Sequence, residues 1–185
     1  MEPETLVELA ARGAACPDER ALPAYDRGAR GLVPGEAAAA LVLVRESDRA
    51  LAFIDAADAA DGAKGEASAE TIAATAKRVA EGDAVVDGAS RAQPAFDAAE
   101  REAIAPLLAL AAATGATGSA TPLVQAIALA SLLSRGRLPP IAGLEAPAPG
   151  PLRPLTRAET TTARSALGLS TGAPGLAGAI RVYLP

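Results

Sequence analysis

Thr121-Pro122-Leu123-Val124-Gln125-Ala126-Ile127-Ala128-Leu129-Ala130-Ser131-Leu132-Leu133-Ser134-Arg135 carries no charge before its last residue. Thr121 followed by Pro122 reads as an N-cap and first-turn pair. Leu123, Val124, Ile127, Leu129, Leu132 and Leu133 fall all round the cylinder, so this helix is expected to be buried on every side. Gly136 ends it, and Pro139-Pro140 prevents its continuation. A helix with no polar face must lie inside a layered fold.

The flanks supply the layers. On the C-terminal side a Pro-rich excursion, Pro139 to Pro154, precedes two strands, Ala166 to Ser170 and Ala179 to Leu184, separated by the glycine-rich Gly172 to Gly178. On the N-terminal side Pro94, Asp97 and Glu100 announce a helix, with Asp97 as cap, Glu100 supporting it three residues on, and Ala103, Ile104 and Leu107 as its apolar side. Ser68 can cap a helix running to Glu81, with Ile72, Ala76 and Val79 on one face and Gly82 as the stop. Ala84-Val85-Val86 reads as a short strand. The run Ala37 to Val44 (AAAALVLV) reads as a strand buried on both faces, with Leu51-Ala52-Phe53-Ile54 as its antiparallel neighbour. Asp55 to Ala67 is expected to be loop. Glu4 to Ala11 reads as a short amphipathic helix stopped by Gly13, and Cys16 to Gly35 as a turn-rich connector. Short strands interleaved with helices give an α/β class: a short central sheet, a buried helix after Pro122, and helices on both faces.

Composition excludes much of chemistry. The chain has 185 residues, 50% of them apolar and 21% charged, with a formal net charge of −5. That is enough apolar content to bury a core. There is no His and no Trp, and only two Tyr and two Phe. Ser-His-Asp and Cys-His catalysis, histidine metal sites and an imidazole pH switch are therefore absent. The single Cys16 allows neither an intrachain disulfide nor a cysteine zinc site. An acidic chain without a Lys/Arg block or aromatic platforms is a poor nucleic-acid binder. The acidic opening Met1-Glu2-Pro3-Glu4 lacks the charge and apolar core of a secretory leader, so a cytoplasmic protein is expected.

The remaining candidate sites have plain readings. Ala103 to Ser134 is uncharged, but Pro106, Pro122 and the polar run Thr114 to Ser119 break it, which favours a buried core helix over a membrane span. Asp55, Asp58, Asp61, Gly62 and Glu66 lack the alternating spacing of a calcium loop. The Thr114 to Ser119 turn has neither the Walker lysine nor the Rossmann glycine spacing for a phosphate. Cys16 sits beside Asp18 and Glu19, which disfavour its thiolate. Ser165, Ser170 and Thr160 to Thr162 have no base to activate them. The expectation is no catalytic, cofactor-binding or metal-binding residue.

Five blocks in order carry a family resemblance. Tyr25-Asp26-Arg27-Gly28-Ala29-Arg30-Gly31-Leu32-Val33-Pro34-Gly35-Glu36 with the apolar run behind it is the first. Val85 to Glu100 (VVDGASRAQPAFDAAE) is the second, and Thr114-Gly115-Ala116 with the helix after it the third. Leu138-Pro139-Pro140-Ile141 and Gly172 to Gly178 complete the set. Together they resemble the C-terminal half of a β-ketoacyl synthase, of the thiolase-like superfamily. Val33 to Glu36, the Asp87 to Asp97 block, and Thr114-Gly115 with Ala120-Thr121-Pro122 are most similar to chain-length factors, the inactive ketosynthase partners of type II polyketide synthases. The resemblance divides the chain into an N-terminal helix and connector, 1–24, and a ketosynthase C-terminal-like domain, 25–185.

The departures from the family set the functional expectation. In active members two histidines and a lysine serve decarboxylation and hold the developing oxyanion. The resemblance puts Ala89 at the first histidine, Ala116 at the second and Ala111 near the lysine. Losing a single oxyanion donor typically costs about 10²–10³ in rate. The nucleophilic cysteine belongs to the family's N-terminal half, and Cys16 falls in the connecting region. The span from Ile104 to Thr114 and the link from Val44 to Leu51 are also shorter than the family pattern. The implied protein is a pseudoenzyme, without cofactor, acting as a heterodimer with a ketosynthase and through it with an acyl carrier protein. A split β-ketoacyl synthase or acyltransferase that needs a separate half to supply the cysteine, or a decayed gene fragment, are the rival expectations.

Overall fold

The structure is a computed structural model and describes residues 3–11, 14–45, 48–61, 68–105, 107–151, 154–172 and 175–185. Helix α1 spans Pro3–Ala11, matching the sequence reading; its expected stop, Gly13, lies outside the described residues. Strand β1 (Phe53–Asp61) is followed by α2 (Ala69–Val79), β2 (Val85–Asp87) and α3 (Pro94–Ile104). Then come α4 (Ala111–Thr114), a 3-10 turn (Gly118–Ala120), α5 (Thr121–Arg135) and two short strands, β3 (Arg137–Leu138) and β4 (Glu159–Thr160). The hairpin of β5 (Ser165–Gly172) and β6 (Leu176–Tyr183) closes the chain.

Four strands form the central sheet in the order β1-β6-β5-β2. β1 and β6 are antiparallel, β6 and β5 are antiparallel, and β5 and β2 are parallel. β5 is buried on both faces from Ala166 to Leu169, and its alternating side chains feed two cores. Leu167 and Leu169 pack against Ile72, Ala76 and Val79 of α2, while Ala166 packs against Leu129 and Leu133 of α5. A Cβ on Gly168 would stand 3.2 Å from Leu129 Cδ1, so α5 lies directly on the strand. Each fully buried Leu or Ile contributes roughly 1.5–3 kcal/mol. The expected α/β class, with a short sheet and helices on both faces, is therefore observed.

Local chemistry explains the helix ends. Ser68 caps α2, its hydroxyl accepting from the Thr71 N–H at 3.2 Å, while Lys77 and Arg78 favour the last turn. This helix ends at Val79, two residues before the expected Glu81. Gly136 stops α5 in a left-handed conformation (φ +60°), with its N–H on the Leu132 and Leu133 carbonyls.

Several expectations are corrected. Residues 37–44 form no strand and join neither described sheet: Val42 is 92% exposed and Leu43 76%. The strand expected at Leu51 to Ile54 begins at Phe53 and continues to Asp61, through residues read as loop, and its neighbour is β6. Phe53 stacks on Tyr183 opposite it (centroids 5.2 Å apart), and Arg181 of β6 pairs bidentately with Asp55, so the acidic residues decorate an edge strand. The connector between β5 and β6 is much shorter than Gly172 to Gly178, since Gly172 and Leu176 to Gly178 all join the ladder. Helix α5 is not buried all round: Leu123 and Ile127 are 38% and 41% exposed. Thr121 is its first residue rather than its cap, and its hydroxyl meets that of Thr117 at 3.0 Å.

Of the expected apolar side, Ile104 packs against the α2-side core and Leu107, beyond the helix end, against the α5-side core, but helix α3 also turns polar residues inward. It starts at Pro94, so Asp97 is too far along to cap it, and no side chain does. Its buried residues are Asp97, Glu100 and Arg101, whereas Ala103 is exposed. The polar face turns inward because it serves the loops described next.

Candidate functional site

The stretches 25–36, 85–100 and 107–121 converge through their backbones. The Gly31 N–H donates to the Ala92 carbonyl (2.7 Å), Gly35 N–H to the Ala116 carbonyl (3.0 Å) and Ala116 N–H to the Val33 carbonyl (2.7 Å). Gly88 N–H donates to Leu108, where one parallel bridge joins Asp87 to Leu108. The approach of 35 to 115 depends on both residues being glycine. A Cβ on Gly35 would stand 2.2 Å from the Thr114 oxygen, and Gly115 has φ +72°.

A buried polar hub stiffens this junction. Tyr25 is 1% exposed; its hydroxyl donates to Glu100 Oε2 (2.7 Å) and its N–H to Asp97 Oδ2 (3.3 Å). Glu100 also accepts from the Ala89 N–H (2.7 Å) and the Ser90 N–H (3.4 Å). The Ser90 hydroxyl donates toward Tyr25 Oη (3.3 Å) and the Gly88 carbonyl (3.0 Å). Tyr25, Ser90 and Ala92 all have positive φ (66°, 52° and 54°), so the junction holds strain of order 1–3 kcal/mol per residue. Burial pushes the Glu100 carboxyl up and, with the Glu100 charge added, pushes Asp97 up to about 7. Burial also drives the Tyr25 hydroxyl well above its ordinary value.

A second buried acid ties the junction to α5. Asp87, fully buried at the end of β2, accepts from the Leu110 N–H (2.8 Å) and from Gln125 Nε2 (2.7 Å). Gln125 Nε2 also donates to the Leu169 carbonyl of β5 (2.8 Å). Burial raises Asp87 to about 7 against both hydrogen bonds. Gln125 Oε1 and Asp97 Oδ1 are buried without a hydrogen-bond partner among the described residues.

The three alanines singled out by sequence lie at this junction. Ala89 is half-buried and packs against the α2-side core, Ala116 is half-buried in the bridge to Pro34, and Ala111 opens α4. The fold thus brings their loops together, with methyl groups as side chains. The titratable groups nearby, Tyr25, Asp87, Asp97 and Glu100, spend their hydrogen bonds on the protein itself. Beside Asp97 lies a cavity of about 90 Å³, bordered by Asp26, Arg27 and Arg101. It is room for a few waters, well below the roughly 300–1,000 Å³ of small-molecule sites. Sequence reading missed the hub: Asp97 and Glu100 were read as a helix start, and the only hint of Gln125 was an amide inside an apolar helix.

Of the other candidates, Asp55, Asp58 and Asp61 lie on β1, with Asp55 paired to Arg181 and Asp58 to Arg78; Gly62 and Glu66 lie outside the described residues. Cys16 is half-buried, its N–H on the Leu32 carbonyl. Among the described residues no helix is long and apolar enough to cross a membrane.

No family model and no curated protein matches the chain. Solved structures do. The ketosynthase from module 6 of the bacillaene synthase from Bacillus subtilis 168 superposes at a TM-score of 0.86 and 20% identity, over 100% of this chain and 40% of that one. The ishigamide ketosynthase/chain length factor gives 0.84 and 19%, over 100% and 52%. A type II polyketide synthase acyl-carrier protein in complex with its ketosynthase bound to the hexaketide (AntDE:AntF) gives 0.80 and 15%, over 100% and 54%. The chain spans about half the length, or less, of these structures. At such identities the likeness concerns architecture, and the architecture is that of the C-terminal half of a ketosynthase, a thiolase-like fold.

Proposed function

We propose that the chain is a non-catalytic, chain-length-factor-like subunit of a polyketide, or fatty-acid-type, ketosynthase complex. Residues 25–185 act as the ketosynthase-like domain and 1–24 as its helix and connector. The protein works in the cytoplasm by shape, beside an active ketosynthase and through it an acyl carrier protein, without cofactor, metal, nucleic acid or membrane. The observation that carries this reading is the methyl group at Ala89, Ala116 and Ala111, on loops whose backbones remain laced together. A methyl neither donates a hydrogen bond nor carries a proton, so decarboxylation and oxyanion stabilisation have no agent here. The inward-facing hub supports the same reading, since its acids are engaged in holding loops. Mixing the protein with a ketosynthase of its own pathway and measuring mass by light scattering tests it. A stable heterodimer is expected; a folded monomer that ignores every such partner would overturn it.

A second reading rests on the exposed apolar surface at Leu41 to Val44, Leu123 and Ile127. It is a split β-ketoacyl synthase or acyltransferase whose other half supplies the cysteine. An acyl adduct formed from a carrier-protein thioester in the reconstituted pair would favour it. A decayed fragment would instead fail to stay soluble with any partner.

A further inference from the structure

We infer that residues 37–44 are a donated strand, which enters the open sheet of a separate α/β polypeptide as an interior strand, paired along both edges and covered on both faces. The inference rests on the second reading above and specifies how the two polypeptides join.

The run Ala37 to Val44 is uncharged throughout and lies between Glu36 and Arg45. A strand here places Leu41 and Leu43 on one face and Val42 and Val44 on the other, with alanine at every remaining position, so neither face suits water. All of these residues except Ala39 are exposed, and no backbone hydrogen bond joins the run to another described residue. Its base is fixed by the Gly35 N–H on the Ala116 carbonyl. Helix α5 begins shortly after Ala116, and Leu123 and Ile127, one turn apart at its start, are exposed as well.

Geometry separates the possible occupants. A second copy of the chain, pairing run to run, gives a two-stranded ribbon in which one edge of each run stays open and apolar side chains remain in water; such a ribbon is marginal by itself. Addition to the outer edge of a partner's sheet satisfies one edge of the run and leaves the other open. A partner whose sheet lacks an interior strand, with apolar layers on both faces, meets every demand of the run. Main-chain hydrogen bonds then supply affinity, and pockets for alternate side chains supply specificity. The architecture has room for such a body. The matched ketosynthase structures hold this chain's whole fold in 40–54% of their length, and carry about as much polypeptide again, or more, outside it.

The probe is the N-terminal part of a ketosynthase of its own pathway, the part that this chain does not match, co-expressed with the intact protein. Light scattering reports whether a complex forms, and residue-resolved amide exchange reports on the run. Successive N–H groups of a strand point to opposite edges, so pairing on both edges should raise protection at all the amides of 38–44, by at least about a hundred-fold. Ala39→Pro and Ala40→Pro remove one N–H from each edge, and neither N–H has a partner among the described residues. Both variants should melt like the wild type in isolation and bind the probe at least about ten-fold more weakly. A complex in which 37–44 stays open to exchange, in which only alternate amides are protected, or in which either proline is tolerated would overturn the inference and leave the second reading standing. Absence of any complex would overturn both.

Discussion

Gln125 Nε2 on α5 donates at 2.7 Å to Asp87 Oδ2 at the end of β2, and the same nitrogen donates at 2.8 Å to Leu169 in β5. One amide group therefore fixes the helix against two neighbouring parallel strands, at the edge of the junction that carries Ala89.

Gln125→Leu fits the volume but leaves the Asp87 oxygen and the Leu169 carbonyl without donors. Unpaired buried polar groups cost about 1–3 kcal/mol each, so a loss on the order of 2–4 kcal/mol is expected in urea melts. The loss should grow with pH. Asp87 already holds its proton up to about 7 in the folded state, which makes the wild type more stable at pH 6 than at pH 8. Removing a donor to the ionised form raises that value further, so the variant should fall behind the wild type by more at pH 8. A deficit that shrinks between pH 6 and pH 8 would count against the assigned hydrogen bond.

Gly35 and Gly115 make the second prediction. Gly35→Ala forces a methyl to within 2.2 Å of backbone oxygen, and Gly115→Ala adds a contact of 2.8 Å to Gly35 Cα on top of a positive φ. Backbone has no rotamer with which to yield. Each variant is expected to lose about 2–4 kcal/mol, or very roughly 5–15 °C in melting temperature for a chain of this size. Gly82→Ala is the control: φ is +60° there, yet nothing lies within 4 Å of the added Cβ, so about 1 kcal/mol is expected. Equal losses at all three sites would mean that the loops at 35 and 115 do not meet closely.

Much of this fold was legible because its signals are local. Ser68 announces α2 through a hydroxyl three residues from the N–H it serves, and Gly136 ends α5 through its own φ. The α2 face of Ile72, Ala76 and Val79 follows from helical period alone. What could not be read is non-local. Asp55 to Asp61 resembles a loop in composition and becomes a strand because β6 supplies a ladder and Arg181 a counter-charge. Asp97 and Glu100 carry the spacing of a helix start, and only the distant Tyr25, brought to them by the fold, turns them into a buried pair. The alanines at 89, 111 and 116 were found by resemblance, as period and spacing give no signal for a missing side chain.

The apolar run at Leu41 to Val44 supports the last prediction. Its pattern is that of a buried strand, yet Val42 is 92% and Leu43 76% exposed, and residues 37–44 make no backbone pairing among the described residues. Exposed apolar segments of high β-propensity and no charge drive association. Val42→Lys and Leu43→Lys replace side chains that are 92% and 76% exposed, so stability should stay within about 0.5 kcal/mol of the wild type, while light scattering of the isolated protein at high concentration should fall markedly. Added ketosynthase separates two meanings of that result. If the run is part of the partner-binding surface, the same lysines should weaken the heterodimer by at least about ten-fold, because a buried ammonium opposite apolar atoms is costly. Unchanged heterodimer affinity, with aggregation suppressed, would assign the run to self-association alone and leave Leu123 and Ile127 of α5 as the face to test next.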